Sequence, residues 1–211
     1  MRMETKRSGA GSPRTSDRMA ARGVVTTGSS GQPKDVPMTF LHKLGEMYSA
    51  EKQLTRALPL VEKAAKSKDL KTLLKIHLKE TKGHAKALED VAKSLGKKLP
   101  SKSCKRMSQL IGQGVKVIAK RVVKGDKDRE LIEVGRKIEQ FEINNYTPLV
   151  AEAAKNEWTH ETTSLTSILT QEKLAYELLG ELGRGNGPLN KLVKKVSLEH
   201  ARAPSPLAEA A

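Results

Sequence analysis

The residues of this chain best suited to chemistry are acids and imidazoles at helical spacing. Glu51, Glu142 and Glu172 each fall near the centre of an apolar stripe with i, i+3, i+4 spacing, and Glu80 flanks another stripe between His77 and His84. An unpartnered carboxylate taken out of water costs several kcal/mol, so an acid on a buried face is expected to be paired, protonated or bound to a cation. The intervals also repeat. Glu51 precedes Glu142 by 91 residues and Glu80 precedes Glu172 by 92, while the steps from Glu51 to Glu80 and from Glu142 to Glu172 are 29 and 30. This is the pseudo-repeat of two helical hairpins carrying matching acids. Hard oxygen ligands with imidazole beside them suit a pair of iron or manganese ions held inside a bundle. The expected ligands are Glu51, Glu80, His84, Glu142 and Glu172, with His77, Glu46 and Glu139 in reserve. Glu80 and His84, at i and i+4, are expected to face one ion together, whereas Glu46 projects away from the core. The plainer reading is a Glu-rich set of helices whose acids meet nearby lysines and whose histidines are hydrogen-bonded core residues.

Four helices must position these groups. The first begins near Thr39, its expected N-cap after Pro37, and turns Leu44, Met47, Glu51, Leu54, Leu58 and Val61 inward, with Pro59 expected to bend it. The second follows Ser67 and Asp69; Leu70, Leu73, Leu74, His77, Thr81, His84, Ala85, Leu88 and Leu95 form its face and Gly96 ends it. The third spans about Asp128 to Lys155, with Leu131, Val134, Ile138, Glu142, Asn145 and Leu149 inward and a kink at Pro148. The fourth spans about Thr159 to Leu182, with Leu165, Ile168, Leu169, Glu172, Tyr176 and Leu179 inward. Antiparallel neighbours need only a few linking residues, so the long connection from Gly96 to Asp126 is expected to be a crossover that leaves the second and third helices parallel. Within it, Met107, Leu110, Ile111, Val115, Ile118 and Val122 form the stripe of a short basic helix, and a last helical piece is expected at Leu189 to Glu199. The expected architecture is all-α: a four-helix bundle at 38–183, a disordered basic tail at 1–37 and a C-terminal extension at 184–211.

Three stretches carry a family resemblance. Tyr48-Ser-Ala-Glu-Lys-Gln-Leu-Thr-Arg-Ala-Leu58, His77-Leu-Lys-Glu-Thr-Lys-Gly-His84 and Lys137-Ile-Glu-Gln-Phe-Glu-Ile-Asn-Asn-Tyr146 resemble the YciE/YciF-type ferritin-like stress proteins, and the Ser-Cys-Lys-Arg-Met107 segment fits their crossover. The likeness covers about residues 39–182. It implies a rubrerythrin-like bundle, a cytoplasmic stress role, a homodimer and a di-iron centre, and a carboxylate-bound metal pair is expected to consume peroxide or oxygen. Glu46 to Glu80 and Glu139 to Glu172, at 34 and 33 residues, are closer to rubrerythrin spacing. The chain also departs from the pattern. Lys79 and Tyr176 stand where relatives carry acids, Gln140-Phe141 replaces a His-Tyr pair, and Gly83 occupies the third position after Glu80, where ferritins place a histidine.

Composition narrows the remaining choices. The 211 residues are 37% hydrophobic but only 3% aromatic, which favours packed helices over an aromatic-rich sandwich. A lone Cys104 excludes an internal disulfide framework and fits a reducing compartment. No apolar run approaches the roughly 18 residues of a membrane span, and no secretory h-region opens the chain, so a cytoplasmic location is expected. The net charge of +15 is concentrated: residues 1–37 carry +4 and residues 93–124 carry ten Lys/Arg with no acid, which leaves the remainder +1. Lys105, Arg106, Lys116, Lys120, Arg121 and Lys124 therefore support an alternative function, a metal-free bundle held on DNA or another anionic surface through its tail and crossover. Residues 93–124 contain no aromatic side chain on which bases could stack, so such binding would be nonspecific. Gly112-Gln-Gly114 follows no strand and is not a nucleotide fingerprint, and Cys104, without a second thiol, reads as structural.

Overall fold

The structure, a computed structural model, describes residues 35–120 and 126–202. The expected tail therefore lies outside the described residues up to position 34, as do Arg121, Val122 and Lys124 of the crossover. Six helices follow in order: α1 (Met38–Ala64), α2 (Lys68–Ser94), α3 (Lys105–Ala119), α4 (Asp126–Lys155), α5 (Thr159–Gly183) and α6 (Leu189–Arg202). The long four, α1, α2, α4 and α5, form the bundle.

Local chemistry sets the helix ends. Thr39 is not the cap of α1. Pro37 holds that position with no side-chain hydrogen bond, and Val36 and Leu41, both buried, clamp the entry as a hydrophobic staple does. Ser67 caps α2 by accepting from the Leu70 N–H, and Gly96, at φ +69°, ends it. There the Lys97 N–H reaches the Ala92 carbonyl and the Gly96 N–H reaches Lys93, the paired bonds of a left-handed helix stop. Cys104 is fully buried and caps α3, its Sγ accepting from the Met107 N–H. Pro59 and Pro148 stand on exposed faces, where water can meet the carbonyls they leave without a donor, and α1 and α4 run through them.

Side-chain pairs give the topology. Lys43 meets Asn145 and the backbone at Lys66 and Ser67 meets Asp128, so α1 and α4 run antiparallel. Tyr48 with Glu89 and Glu62 with Lys75 give the same sense for α1 and α2. His84 with Gln171 and Ser94 with Glu161 give it for α2 and α5. Helices α2 and α4 are therefore parallel, as the length of the crossover requires. The crossover lies close on α1: a Cβ at Gly45 would stand 2.5 Å from the Pro100 carbonyl oxygen, so glycine makes that approach possible.

The core is aliphatic, with Leu44, Met47, Leu54, Leu88, Leu110 and Leu165 buried, each leucine contributing about 2 kcal/mol. Three side chains differ from the sequence pattern. Tyr146, not Asn145, is fully buried on α4; the half-buried Asn145 instead receives a hydrogen bond from Lys43. Tyr176 is half-buried beneath the Arg136 guanidinium, 4.3 Å from its ring centroid. On α3, Met107, Leu110, Gly114 and Val117 face the bundle, while Val115 is 51% exposed. Helix α6 adds Leu189 and Leu192 to the core. Among the described residues no helix is long and apolar enough to cross a membrane.

Candidate metal centre

Midway along the bundle the aliphatic layers give way to acids. Glu51, Glu139, Glu142 and Glu172 are buried, as are His77 and His84. They fall in two groups whose ligand atoms lie within 4.8 Å of one another: His77, Glu139, Glu142 and Glu172 in one, Glu51, His84 and Glu172 in the other. Glu172 belongs to both. The geometry follows from helix period. His77 and His84, seven residues apart on α2, share a face with about 10 Å of axial rise between them, so each serves a different group. Glu139, Glu142 and Tyr146, spaced by three and four on α4, likewise form one inward row.

Contacts orient the donors. His84 Nδ1 lies 2.9 Å from a Glu172 oxygen and 3.6 Å from a Glu51 oxygen, while its Nε2 meets the Gln171 side-chain carbonyl at 2.7 Å. With Nε2–H donating to Gln171, the neutral ring turns the Nδ1 lone pair toward the acids. His77 Nε2 lies 3.3 Å from Glu139, and its Nδ1 lies 3.7 Å from Glu80. Tyr146 donates to Glu51 at 2.5 Å. Of the twelve side-chain oxygens and nitrogens on these four acids and two histidines, nine have no well-directed hydrogen bond, including both oxygens of Glu142 and both of Glu172.

The protonation equilibria register this crowding. Burial holds the Glu142 carboxyl well above the usual range, reinforced by the charges of Glu172 and Glu51. Glu139 rises for the same first reason despite the attraction of His77, and Glu51 rises although His84 and Tyr146 favour its charge. Burial also opposes ionisation of Glu172, but His84, His77 and a bond from Glu139 outweigh it and its pKa falls. Burial alone would lower both imidazoles. The surrounding carboxylates nevertheless raise His77 to about 10, Glu139 foremost, and His84 to about 11, Glu172 foremost.

The structure thus brings together Glu51, His84, Glu142 and Glu172 with two of the three reserves, His77 and Glu139. Glu80 falls in neither group: it is partly exposed and approaches the far nitrogen of His77. Glu46 is ion-paired with Lys43 at 2.8 Å, away from the cluster. Tyr146 and Gln171 are not among the expected residues; Tyr146 lies one helical turn after Glu142, and Gln171 is the neighbour of Glu172 in sequence. Of the basic residues, Lys105, Arg106, Lys116 and Lys120 are exposed, Lys120 being paired with Glu130 at 2.7 Å.

Residues 36–187 match the family described as a domain of unknown function, DUF892. Protein YciF of Escherichia coli (strain K12) is 31% identical over 154 residues, 72% of this chain and 93% of that protein. The chain belongs to the DUF892, YciF-type family. Among solved structures, the crystal structure of the E. coli stress protein YciF matches with a TM-score of 0.68 at 32% identity, covering 70% of this chain and 94% of that one. YcfI from Rhodopseudomonas palustris matches with a TM-score of 0.65 at 29% identity, over 71% of this chain and 98% of that one. All six residues of the buried cluster lie inside the DUF892 span.

Proposed function

We propose that this DUF892 chain is a cytoplasmic ferritin-like stress protein whose bundle holds two iron or manganese ions and acts on peroxide or oxygen. The observation that carries the reading is a cluster of four buried carboxylates and two imidazoles, drawn from four helices, most of whose side-chain oxygens and nitrogens have no well-directed hydrogen bond. Without a cation the cluster reaches neutrality only by taking up protons, on both imidazoles and on two of its carboxyls. Two divalent cations with neutral imidazoles balance four ionised carboxylates instead. Binding the ions supplies the buried acids with the opposite charge they otherwise lack.

The donors fit such ions: carboxylate oxygens and imidazole nitrogens suit iron and manganese, and thiolate plays no part. Glu172 would be shared between the two positions; His77, Glu139 and Glu142 would complete one and Glu51 and His84 the other. Iron bound there would supply the redox chemistry by which oxygen or peroxide is consumed. The chain holds the donors in place. Gln171 sets the His84 ring, Glu80 stands behind His77, and Tyr146 fixes one Glu51 oxygen while its hydroxyl remains a proton donor at the edge of the site. The aliphatic layers above and below exclude water.

Elemental analysis of full-length protein purified without chelators tests the reading. About two iron or manganese ions per chain, lost in Glu51→Ala/Glu172→Ala, is the expected result. The alternative is a metal-free bundle bound to DNA or another polyanion. It would instead give no metal and a salt-sensitive retention on DNA that disappears when Lys116, Lys120 and Lys124 are neutralised.

A further inference from the structure

Beside the centre, the C-terminal half of α1 and the facing parts of α2, α3, α4 and α5 enclose a cavity of about 380 Å³. Its walls are aliphatic almost throughout, and its lining includes His77 and Glu139, two members of the buried cluster. At the other extreme the lining reaches solvent through Leu60 and Val115, 58% and 51% exposed although both are large and apolar. These exposed members mark the mouth. Protein interiors pack closely, and ligand pockets span about 300–1,000 Å³, so a hollow of this size and lining has the character of a binding site.

Two further features identify the occupant. Gly114 lines the cavity in the middle of α3, although glycine is unfavourable inside a helix. A Cβ there would meet Val134 at an ordinary 3.7 Å, so helix packing does not demand the glycine, and its effect is to widen the cavity. The polar residues of the lining are not alike. Gln53 donates to the Cys104 carbonyl and accepts from Ser108, so both are satisfied. Arg56 is exposed and has no ion-pair or hydrogen-bond partner among the described residues. An aliphatic hollow with a cation at its edge that is unpaired among the described residues matches an amphiphile with a single hydrocarbon chain and an anionic head.

We infer that the cavity binds a chain carboxylate of the fatty-acid class, its head group against Arg56 and its tail reaching inward toward His77 and Glu139. Binding of the acid requires no metal. That the tail ends at a metal centre, which would make the acid that centre's substrate or effector, rests on the function proposed above.

The test is calorimetric titration of full-length protein, metal-loaded and metal-depleted, with dodecanoate and with dodecanol. The expected result is saturable uptake of one dodecanoate per chain. Affinity should fall at least tenfold in Gly114→Leu and in Ala57→Leu, which fill the cavity without lowering Tm. Arg56→Gln, a surface change that leaves the fold alone, should weaken dodecanoate but not dodecanol. No saturable binding, full affinity in both filled variants, or indifference of dodecanoate to Arg56→Gln would each overturn the inference. Uptake of dodecanoate by a chain that acquires no metal would sink the metal reading and leave this site standing. Two metals per chain with no uptake would do the reverse. In cobalt-loaded protein, dodecanoate should shift the visible metal absorption; an unchanged spectrum at saturation would remove the tail from the centre.

Discussion

Glu172 and Glu181 stand nine residues apart on α5, both shielded from solvent, and the bundle treats them in opposite ways. Glu181, at the edge of the core, accepts from Asn186 at 2.6 Å and from Arg184 at 2.8 Å, with Lys195 at 3.4 Å. Those donors hold its pKa down at about 2. Around Glu172, at the midpoint of the bundle, no lysine or arginine is paired with any of the four clustered acids among the described residues. Burial instead pushes Glu142 and Glu139 toward the protonated form. A chain with 39 Lys and Arg residues has no shortage of organic cations to place beside an acid. That it places Arg184 and Lys195 at Glu181 and, among the described residues, no lysine or arginine in the centre separates an acid used for structure from acids arranged around something else.

The comparison breaks most directly at the shared ligand. Glu172→Gln should abolish occupancy of both positions, taking metal content from about two per chain to near zero, whereas Glu139→Gln and Glu51→Gln should each lose about one. Equal losses from all three, or none, would show that the two groups are not separate positions joined at Glu172. Elemental analysis combined with circular dichroism distinguishes lost metal from lost fold.

Next in size is the pH dependence. Two divalent ions must displace the protons on His77 and His84 and work against the protonation that burial favours at Glu139 and Glu142, so metal affinity should rise by about tenfold per pH unit for each proton released. In metal-free protein the signs are fixed by the direction of each shift. His77 and His84, raised to about 10 and 11, contribute stability that is full below the unfolded value near 6.5 and is lost as pH climbs through the folded values. Glu139 and Glu142, also raised, favour the folded state at low pH and cease to do so as pH rises above about 4.5. Glu172, lowered, acts in the opposite sense, its contribution being present above the same value and lost below it. Between pH 7 and 10 the Tm of the chelated protein should therefore fall while that of the loaded protein holds. Parallel curves would mean that metal does not reach these groups.

A smaller effect of reversible sign is expected at Glu142, both of whose oxygens lack a partner. Glu142→Leu replaces an unsatisfied buried acid with apolar volume, so it should stabilise the metal-free protein by about 1–3 kcal/mol. In the loaded protein it removes a ligand and should lower Tm. Denaturant titration of both forms measures the two signs; the same sign in each would remove Glu142 from the metal set.

The sequence displayed the bundle because the period of its apolar residues is long and regular, and the crossover because a connection of that length cannot join adjacent antiparallel rods. Glu51, Glu142 and Glu172 were legible because each interrupts a stripe. The errors were rotational. One residue is 100° of helix, so reading Asn145 rather than Tyr146, or Val115 rather than Val117, as inward is a displacement of one or two positions on a wheel. Helix α4 contacts α1, α3 and α5, so its buried arc is broad. Glu139 shares that arc with Glu142, three residues on, and the sequence marks it only by its 33-residue interval to Glu172. Glu80 and His84, one turn apart on α2, meet different partners, because closeness in sequence says nothing about which helix each faces. Across the bundle, His84 faces α1 and α5, while Glu80 stays beside His77 at the rim.

The smallest effect sharpens the comparison from its other side. Glu181→Gln removes a charge from a corner already supplied with Arg184, Asn186 and Lys195, close enough to water that the freed cations can be solvated. Metal content and its pH dependence should be unchanged, and Tm should fall only slightly at neutral pH. The difference from the parent should vanish in acid. A depressed carboxylate contributes above its unfolded value and loses that contribution as pH drops toward about 2. Thermal scans from pH 7 to pH 2 measure this convergence. If Glu181→Gln instead lowered metal content as Glu172→Gln is expected to, the acids of α5 would act as one extended electrostatic unit, and the distinction between a satisfied corner and an open centre would fail.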